Sequence, residues 1–321
     1  MPGSKLFKLT VPFQYPDFTS ELSNCSICPR ECRADRYSNR LGWCRSDAGF
    51  NISSICIHKG EEPAISGING ICNVFFSKCN LGCIYCQNWQ ISCRDEHGSS
   101  QTLEFSEVIR QITGLLDKGC HAVGFVSPTH YVPHVKAIID ALRDESRNPI
   151  FVYNTNGYDK VETLKSLESY IDIYLPDFKY SSDELAREFS DAPRYPEIAL
   201  AALKEMYRQK GSVVLMDDNG IAERGIIVRH LVLPGHVDNS IGVLRMIAGE
   251  VSSSLTISLM SQYWPTPLVK SHKKLGRMLL PAEYQAVADE MLKLGFRKGW
   301  LQEMESHENY RPDFDRDHPF E

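Results

Sequence analysis

The sequence predicts an α/β protein: a partial (β/α)6 TIM-like barrel preceded by a cysteine-rich metal-binding segment. Two observations lead to this prediction. Six short apolar runs alternate with amphipathic stretches after residue 70, and ten of the eleven cysteines lie between Cys25 and Cys93. Strands buried on both faces of a parallel sheet have nearly continuous apolar sequences, so the alternation favours βα units. We therefore divide the chain into a cysteine-rich segment at 1–70, a barrel at 71–300 and a polar tail at 301–321.

The predicted strands are short and rich in β-branched or aromatic residues. They are ICNVFFS at 71–77, AVGFVS at 122–127, PIFVYNT at 149–155, IDIYLPD at 171–177, GIIVRHLVLP at 225–234 and LTISLM at 255–260. Helical patterns lie at 103–118, 133–146, 159–168, 196–210, 240–250 and 281–294. Six units are fewer than the eight of a closed barrel, which leaves a partial barrel or an open sheet. In both, the active site lies at the carboxyl ends of the strands.

Composition narrows the class of protein. The net charge of −6 argues against a nucleic-acid binder that works through a basic surface. The first residues lack the apolar run of a signal peptide, and no window is long enough to cross a membrane, so we expect a cytoplasmic protein without a membrane partner. Thiols stay reduced in that compartment, and the eleven cysteines are better explained as metal ligands than as disulfides.

The stretch 78-KCNLGCIYCQNWQ-90 contains three cysteines spaced C-x3-C-x2-C, just after the first predicted strand. Cys79, Cys83 and Cys86 can hold three corners of a [4Fe–4S] cluster, which leaves the fourth iron open to a substrate. The alternatives are a zinc site that takes a ligand from elsewhere, or buried thiols without metal. The position at the catalytic rim favours the open cluster.

This pattern, C-x3-C-x-aromatic-C after the first barrel strand, resembles the radical S-adenosylmethionine (SAM) enzymes over residues 71–300. The resemblance implies a [4Fe–4S] cluster on Cys79, Cys83 and Cys86, with SAM bound to the open iron. An electron from a flavodoxin- or ferredoxin-type reductant then cleaves SAM, and the resulting 5′-deoxyadenosyl radical abstracts a hydrogen atom. Tyr85 is implied to pack beside the adenine or the cluster, although a plain core position is the alternative.

Several stretches are more specifically similar to the activating enzymes of glycyl radical enzymes, and closest to an uncharacterised branch that resembles pyruvate formate-lyase (formate C-acetyltransferase) activating enzyme. The similarity lies in CQN, YNTNG at 153–157, LPDFK at 175–179 and VRHLVLPGH at 228–236. It implies a SAM site built from the following residues: Asn88, Asn154, Asp177, Lys179 and Arg229. Within it, Arg229 would meet the SAM carboxylate, and Asp177 the ribose or a monovalent cation. Gln262, at the end of the sixth predicted strand, is expected to face the adenine or the substrate.

The sequence departs from that pattern in two places. The second strand lacks the glutamate of the Gly-Gly-Glu motif that holds the SAM amino group, and Ser127, Thr129 and His130 are the polar groups available there. Asn154 replaces an aspartate of the activases, which weakens the prediction of a cation site.

A second cysteine group, 25-CSICPRECRADRYSNRLGWC-44, has the spacing C-x2-C-x3-C-x11-C. Its four cysteines, Cys25, Cys28, Cys32 and Cys44, supply the tetradentate set that suits either zinc or a closed [4Fe–4S] cluster. Zinc would tie down a loop-rich segment, whereas a second cluster could relay electrons or touch the substrate. Both metals remain open at this point.

The leading function is an oxidoreductase that abstracts the α-hydrogen of a glycine in a protein or peptide, as the resemblance to activases implies. One alternative is a radical SAM enzyme that modifies another peptide or a small molecule. The other is a non-catalytic iron–sulfur protein for electron transfer or sensing, in which the fourth iron would be closed.

Overall fold

The computed structural model of the protein describes residues 15–38, 40–94, 101–308, 311–316 and 318–320. In these ranges the strands are β1 Phe50–His58, β2 Ile71–Phe76, β3 Gln101–Leu103, β4 Ala122–Val126, β5 Ile150–Thr155, β6 Ile173–Pro176, β7 Leu215–Met216, β8 Ala222–Leu231, β9 Thr256–Met260 and β10 Gly299–Leu301. The helices are α1 Thr19–Leu22, α2 Pro63–Ser66, α3 Trp89–Ser92, α4 Phe105–Leu116, α5 Val132–Asp144, α6 Val161–Lys165, α7 Asp183–Ser190, α8 Tyr195–Lys210, α9 Val237–Ile247 and α10 Pro281–Lys293.

The six predicted strands are confirmed as β2, β4, β5, β6, β8 and β9. They pair in parallel and in chain order, within a described sheet ordered β10-β9-β8-β6-β5-β4-β2-β1-β3, with β7 paired to β8. Helices follow these strands at the six predicted places, with α6 shorter than expected. This is a mostly parallel α/β sheet with a partial barrel form, because the strands pair along an open path.

The two faces of the sheet bury different residues. One face packs against the helices in the large core, to which Tyr153, Tyr174 and Val228 belong. The opposite face carries a smaller cluster in which Val152 and Ile227, their neighbours along the strands, pack together. Side chains of one strand alternate between faces, so the smaller cluster marks the concave side of the partial barrel.

The segment before the barrel contains elements that the sequence analysis did not predict. Strand β1 pairs antiparallel with β2, in a region expected to be loop-rich. Helix α2 places Ala64 and Ile65 in the small concave cluster, where they plug the partial barrel from inside. Four residues that begin with Pro63 have no periodicity to detect, although proline at the first helical position is favourable.

The described part of the polar tail packs against the barrel. Phe314 contacts Phe75 with a ring-centroid distance of 5.3 Å, and Phe320 lies 4.2 Å from the ring of His58. These two aromatic side chains give a polar segment enough apolar area to dock. Among the described helices, none has the length and apolar content that crossing a bilayer requires.

Candidate active site

A cavity of about 400 Å³ opens on the concave side, where the parallel strands end. Most residues that the sequence analysis assigned to the site line it: Cys79, Cys83, Tyr85, Cys86, Asn88, Ser127, Asn154, Asp177, Lys179, Arg229 and Gln262. They come from loops far apart in the chain, and the carboxyl ends of parallel strands bring them to the same edge. The volume is in the range of small-molecule and cofactor pockets.

The three-cysteine loop is anchored in its middle, on either side of Cys83. Gly82 and Ile84 donate backbone hydrogen bonds, each 2.9 Å, to the carbonyls of Ser190 and Phe189 at the end of α7. Lys78, just before Cys79, has a φ of 66°, a left-handed conformation that is uncommon for a residue with a side chain. Such backbone persists where the surroundings enforce it, and it is often found at functional sites.

Each of the three sulfurs accepts a hydrogen bond from a neighbouring side chain. Asn156 Nδ2 lies 3.4 Å from Cys79 Sγ, Ser190 Oγ 2.9 Å from Cys83 Sγ, and Ser92 Oγ 3.2 Å from Cys86 Sγ. The backbone amides of Leu81 and Asn88 also donate, to Cys79 and Cys86 respectively. Donors around ligating sulfurs orient a cluster and tune its reduction potential, so these surroundings fit a [4Fe–4S] cluster.

Burial keeps these thiols protonated when no metal is bound. It raises the pKa of Cys79 to about 12 and that of Cys83 to about 11, and it also raises the pKa of Cys86. A metal must therefore displace three protons on binding. In the described part of the chain, no three His, Cys, Asp or Glu side chains converge on one ion. A cluster does not require such convergence, since each thiolate binds its own iron.

Asp177 and Lys179 form an ion pair of 2.5 Å on the cavity wall after β6. Burial alone would lower the pKa of Lys179, but the charge of Asp177 and the proximity of Cys83 raise it well above its usual value. The lysine is therefore a fixed cation beside the cluster loop. Gly157 allows its own backbone to lie against that of Asp177, because a Cβ at Gly157 would lie 2.2 Å from the carbonyl oxygen of Asp177.

Arg229 occupies the cavity floor, where it is bound by two carboxylates. Its Nε lies 2.9 Å from Glu62 Oε1, and its Nη2 donates to both Glu61 and Glu62. Burial would raise the pKa of Glu61, but Arg229 outweighs it and holds that pKa at about 2. The sequence analysis paired Arg229 with the SAM carboxylate and missed Glu61 and Glu62. The only signal for them was two adjacent carboxylates before a proline.

Thr129 was one of the polar groups expected to hold the SAM amino group. It does not line the cavity; its hydroxyl lies 3.1 Å from that of Thr155 and is fully buried. His130 is also a core residue, with Nε2 3.1 Å from the carbonyl oxygen of Ser77, and burial lowers its pKa to about 3. Of the polar groups after the second strand, Ser127 reaches the cavity, and its φ of 53° is again left-handed.

Three glutamines form one wall of the cavity, which we call the amide wall: Gln87, Gln262 and Gln302. Gln87 Nε2 lies 2.7 Å from the Gln262 carbonyl oxygen, and Gln302 Nε2 lies 2.7 Å from Gln262 Oε1. The sequence analysis identified only Gln262. Gln87 directly follows a cluster cysteine, which was the available signal. Opposite the wall, Tyr85 shares a 2.7 Å hydrogen bond with Tyr180 and belongs to both core and cavity.

Models of known protein families were compared with the chain, and the match is consistent with a cluster at this site. The model of the Radical SAM superfamily matches residues 73–244, more than half of the chain, and the protein belongs to that superfamily. The cofactors of the family are a [4Fe–4S] cluster and SAM, and the three-cysteine loop fits the cluster.

Individual relatives are distant. The uncharacterized protein MJ0674 of Methanocaldococcus jannaschii is 27% identical over 268 residues, 82% of this chain and 72% of that protein. Streptococcus suis SuiB bound to its precursor peptide SuiA is 12% identical, with a TM-score of 0.48 over 72% of this chain; this chain spans about half (48%) of SuiB. A domain of the pyruvate-formate lyase-activating enzyme of Bacteroides vulgatus is 15% identical, with a TM-score of 0.37 over 54% of this chain and 93% of that domain.

Proposed function

We propose that this radical SAM enzyme removes the α-hydrogen of a glycine in a protein or peptide backbone. When bound, the [4Fe–4S] cluster and SAM would supply the radical chemistry that removes the hydrogen atom. The protein supplies the binding groups. The amide wall, which lies on the cavity beside the cluster loop, is the observation that carries the proposal.

Glycine has no side chain by which it could be selected, so an enzyme for glycine must bind the peptide groups on either side of it. A glutamine amide offers donors and an acceptor in one plane, as a peptide group does. Gln87 and Gln262 already satisfy one another in this way, with Gln262 Nε2 3.1 Å from Gln87 Oε1. A peptide backbone can replace such amide–amide bonds with equivalent ones, as it does when a strand adds to a sheet edge.

The remaining polar groups suit SAM. We assign Asp177 to the ribose hydroxyls, because an ionised carboxylate accepts from both. Ser127 and Asn154 line the same cavity as Asp177, and their side chains can accept hydrogen bonds from the methionine part of SAM or donate to it. The floor formed by Arg229, Glu61 and Glu62 carries one more negative than positive charge, which complements the SAM ammonium. These three residues thus replace the glutamate that the second strand lacks.

Deuterium transfer tests the proposal even while the substrate is unidentified. The reconstituted enzyme would be incubated anaerobically with SAM, dithionite and extract from cells grown on glycine deuterated at its α-carbon. The extract is divided by ultrafiltration into macromolecules and small molecules. We expect deuterium in 5′-deoxyadenosine from the macromolecular fraction. Deuterium from the small-molecule fraction alone would favour a small-molecule substrate, and no 5′-deoxyadenosine at all would favour an electron-transfer protein.

A variant of the amide wall separates substrate binding from SAM cleavage. Gln262→Leu removes an amide from the wall but leaves the three cluster cysteines unchanged. We expect it to reduce deuterium transfer at least about tenfold, since one lost hydrogen bond in a desolvated site costs on the order of 1.4 kcal/mol. SAM cleavage without substrate should stay at the wild-type rate. Gln285→Leu, on the outer surface of α10, is the matched control.

A further inference from the structure

The four cysteines before the barrel lie on a tightly turned segment. Cys25 and Ala34 form an antiparallel bridge: the Cys25 amide donates to the Ala34 carbonyl oxygen, and the Arg33 amide donates to the Cys25 carbonyl oxygen, both at 2.9 Å. The backbone amides of Ile27 and Arg30 donate to the sulfurs of Cys25 and Cys28, two residues before each. All four sulfurs are close enough to interact electrostatically with at least one other member of the set. The structure thus places the whole set in one neighbourhood, although no three of these sulfurs converge on a single ion. A zinc ion would have to draw the four sulfurs together, whereas a cluster, in which each thiolate binds its own iron, would not.

This segment has little apolar core of its own. In the described residues of 25–46, the buried apolar side chains other than cysteine are Ile27 and Ala34. Glu31, Arg33 and Arg45 nevertheless have positive φ values of 40°, 56° and 56°, each costly for a residue with a side chain. A short segment without a core generally needs a disulfide or a metal to hold such a conformation. No disulfide joins any of the described cysteines.

Arg36 gives an independent indication of negative charge at this place. It is 2% exposed, and its guanidinium donates to the carbonyl oxygens of Asp47 (2.6 and 2.9 Å) and His130 (2.5 Å). Its positive charge also interacts electrostatically with the sulfurs of Cys25 and Cys44. No carboxylate in the described part of the chain forms an ion pair with it. A buried guanidinium cannot lose its proton, and without an anion its burial is costly.

We propose that Cys25, Cys28, Cys32 and Cys44 bind a metal centre as four thiolates, and that Arg36 neutralises part of its charge. Four thiolates leave two surplus negative charges on zinc, and the same number on an oxidised closed [4Fe–4S] cluster, so either centre supplies the anion that Arg36 lacks. The ligand class is therefore a tetrathiolate metal, and metal analysis distinguishes zinc from iron. Because none of the four cysteines lines the active-site cavity, this centre is separate from the three-cysteine cluster.

The same segment contacts the cluster loop, which gives the metal centre a role in the enzyme. Arg30, two residues after Cys28, donates to the Asn80 carbonyl oxygen at 3.0 Å and stacks 3.6 Å over the ring of Trp43. Trp43 precedes Cys44, and its Nε1 lies 3.2 Å from Asp191 beyond α7. The centre thus fixes the two residues that support the backbone between Cys79 and Cys83.

Metal analysis of a protein without the first cluster tests the proposal. The variant Cys79→Ala/Cys83→Ala/Cys86→Ala would be purified anaerobically and its zinc, iron and sulfide measured. We expect about one zinc, or about four irons with sulfide, per chain. X-ray absorption at that metal should give sulfur ligands only, at about 2.3 Å for zinc. A metal-free triple variant, or a metal bound through oxygen or nitrogen, would overturn the proposal.

Two further variants assign the ligands and the cation. Cys25→Ala/Cys28→Ala in the full-length wild-type background should lose this metal, whereas Cys120→Ala, a control thiol outside both sets, should keep it. Arg36→Met should release the metal to a chelator about 10- to 100-fold faster, the usual effect of removing an outer partner of a metal ligand, and Arg36→Lys should restore part of the loss. Equal release rates in wild type and both Arg36 variants would refute the role of Arg36.

Discussion

Ser190, the last residue of α7, is expected to influence the reduction potential of the cluster. Its hydroxyl lies 2.9 Å from Cys83 Sγ, and it also meets the hydroxyl of Tyr180. A hydrogen bond to a ligating sulfur stabilises the more negative, reduced cluster. We expect Ser190→Ala to shift the reduction potential of the cluster to more negative values and to slow SAM cleavage by a weak reductant. Redox titration followed by electron paramagnetic resonance measures this shift.

The control for Ser190 is Ser254→Ala, in a loop before β9, which should leave the potential unchanged. Ser92→Ala removes the donor to Cys86 Sγ and should act in the same direction as Ser190→Ala. If Ser190→Ala and Ser92→Ala both keep an intact cluster with the wild-type reduction potential, these hydroxyls do not tune that potential.

The excess negative charge on the cavity floor leads to a second prediction for a single residue. Glu62→Gln removes one charge but leaves Arg229 paired with Glu61, so no buried cation is orphaned. If the floor binds the SAM ammonium, this variant should bind SAM about tenfold more weakly, or about 1.4 kcal/mol. Anaerobic equilibrium dialysis of the reconstituted enzyme measures the affinity. Glu197→Gln, in an exposed pair with Arg194, is the control, and equal affinities of both variants would place the ammonium elsewhere.

At the scale of elements, the contact between β2 and β4 depends on one glycine. A Cβ at Gly124 would lie 2.1 Å from Asn73 Oδ1, which is closer than two non-bonded heavy atoms can approach. We expect Gly124→Ala to lower the free energy of unfolding by about 1–3 kcal/mol, the usual cost of overpacking. The loss should be smaller when Asn73→Ala is already present, since the clashing oxygen is then gone. Urea unfolding of the double-mutant cycle measures this coupling, and strictly additive losses would contradict the clash.

The elements that could be predicted from the sequence are those with a strong pattern. Strands such as β4 are buried along their full length, so their apolar runs stand out, and helices of the length of α5 show a clear period. Helix α2 has too few residues for a period, and it forms because the concave face of the barrel receives Ala64 and Ile65. Tertiary contacts of this kind leave no local signal.

The same limit applies to the site. The three cysteines are close in sequence, so their spacing predicted them as a set. The end of a predicted strand, together with the resemblance to the activases, predicted Asp177 and Lys179, and all five residues line the cavity. Thr129 also follows a predicted strand, but its hydroxyl forms a hydrogen bond with that of Thr155 in the core. A single sequence does not reveal such a pair. Glu61 was not predicted, because its ion pair with Arg229 joins residues that lie far apart in the chain.

For the whole molecule, three buried histidines make stability depend on pH. Burial lowers the pKa of His130 and of His134 to about 3, and that of His230 to about 4. Their usual value is 6.5, so the unfolded chain binds protons below pH 6.5 that the folded protein does not. The stability from these groups is complete above pH 6.5. It decreases with falling pH by at most about 1.4 kcal/mol per pH unit for each histidine.

In the pH window between about 6.5 and 5 these histidines act together with His58, His121 and His236, whose pKa values burial also lowers. Glu61, with a pKa of about 2, keeps its charge there. We expect the free energy of unfolding to fall across that window, with His130, His134 and His230 each contributing up to about 1.4 kcal/mol per pH unit. His134→Gln preserves a polar side chain beside the Ala48 carbonyl oxygen, 2.9 Å from Nε2, and should reduce the slope by up to about 1.4 kcal/mol per pH unit. His318→Gln, at an exposed position, should not change it. Urea unfolding at several pH values measures the slopes, and a slope in His134→Gln equal to that of the wild type would show that this imidazole is already charged in the folded protein.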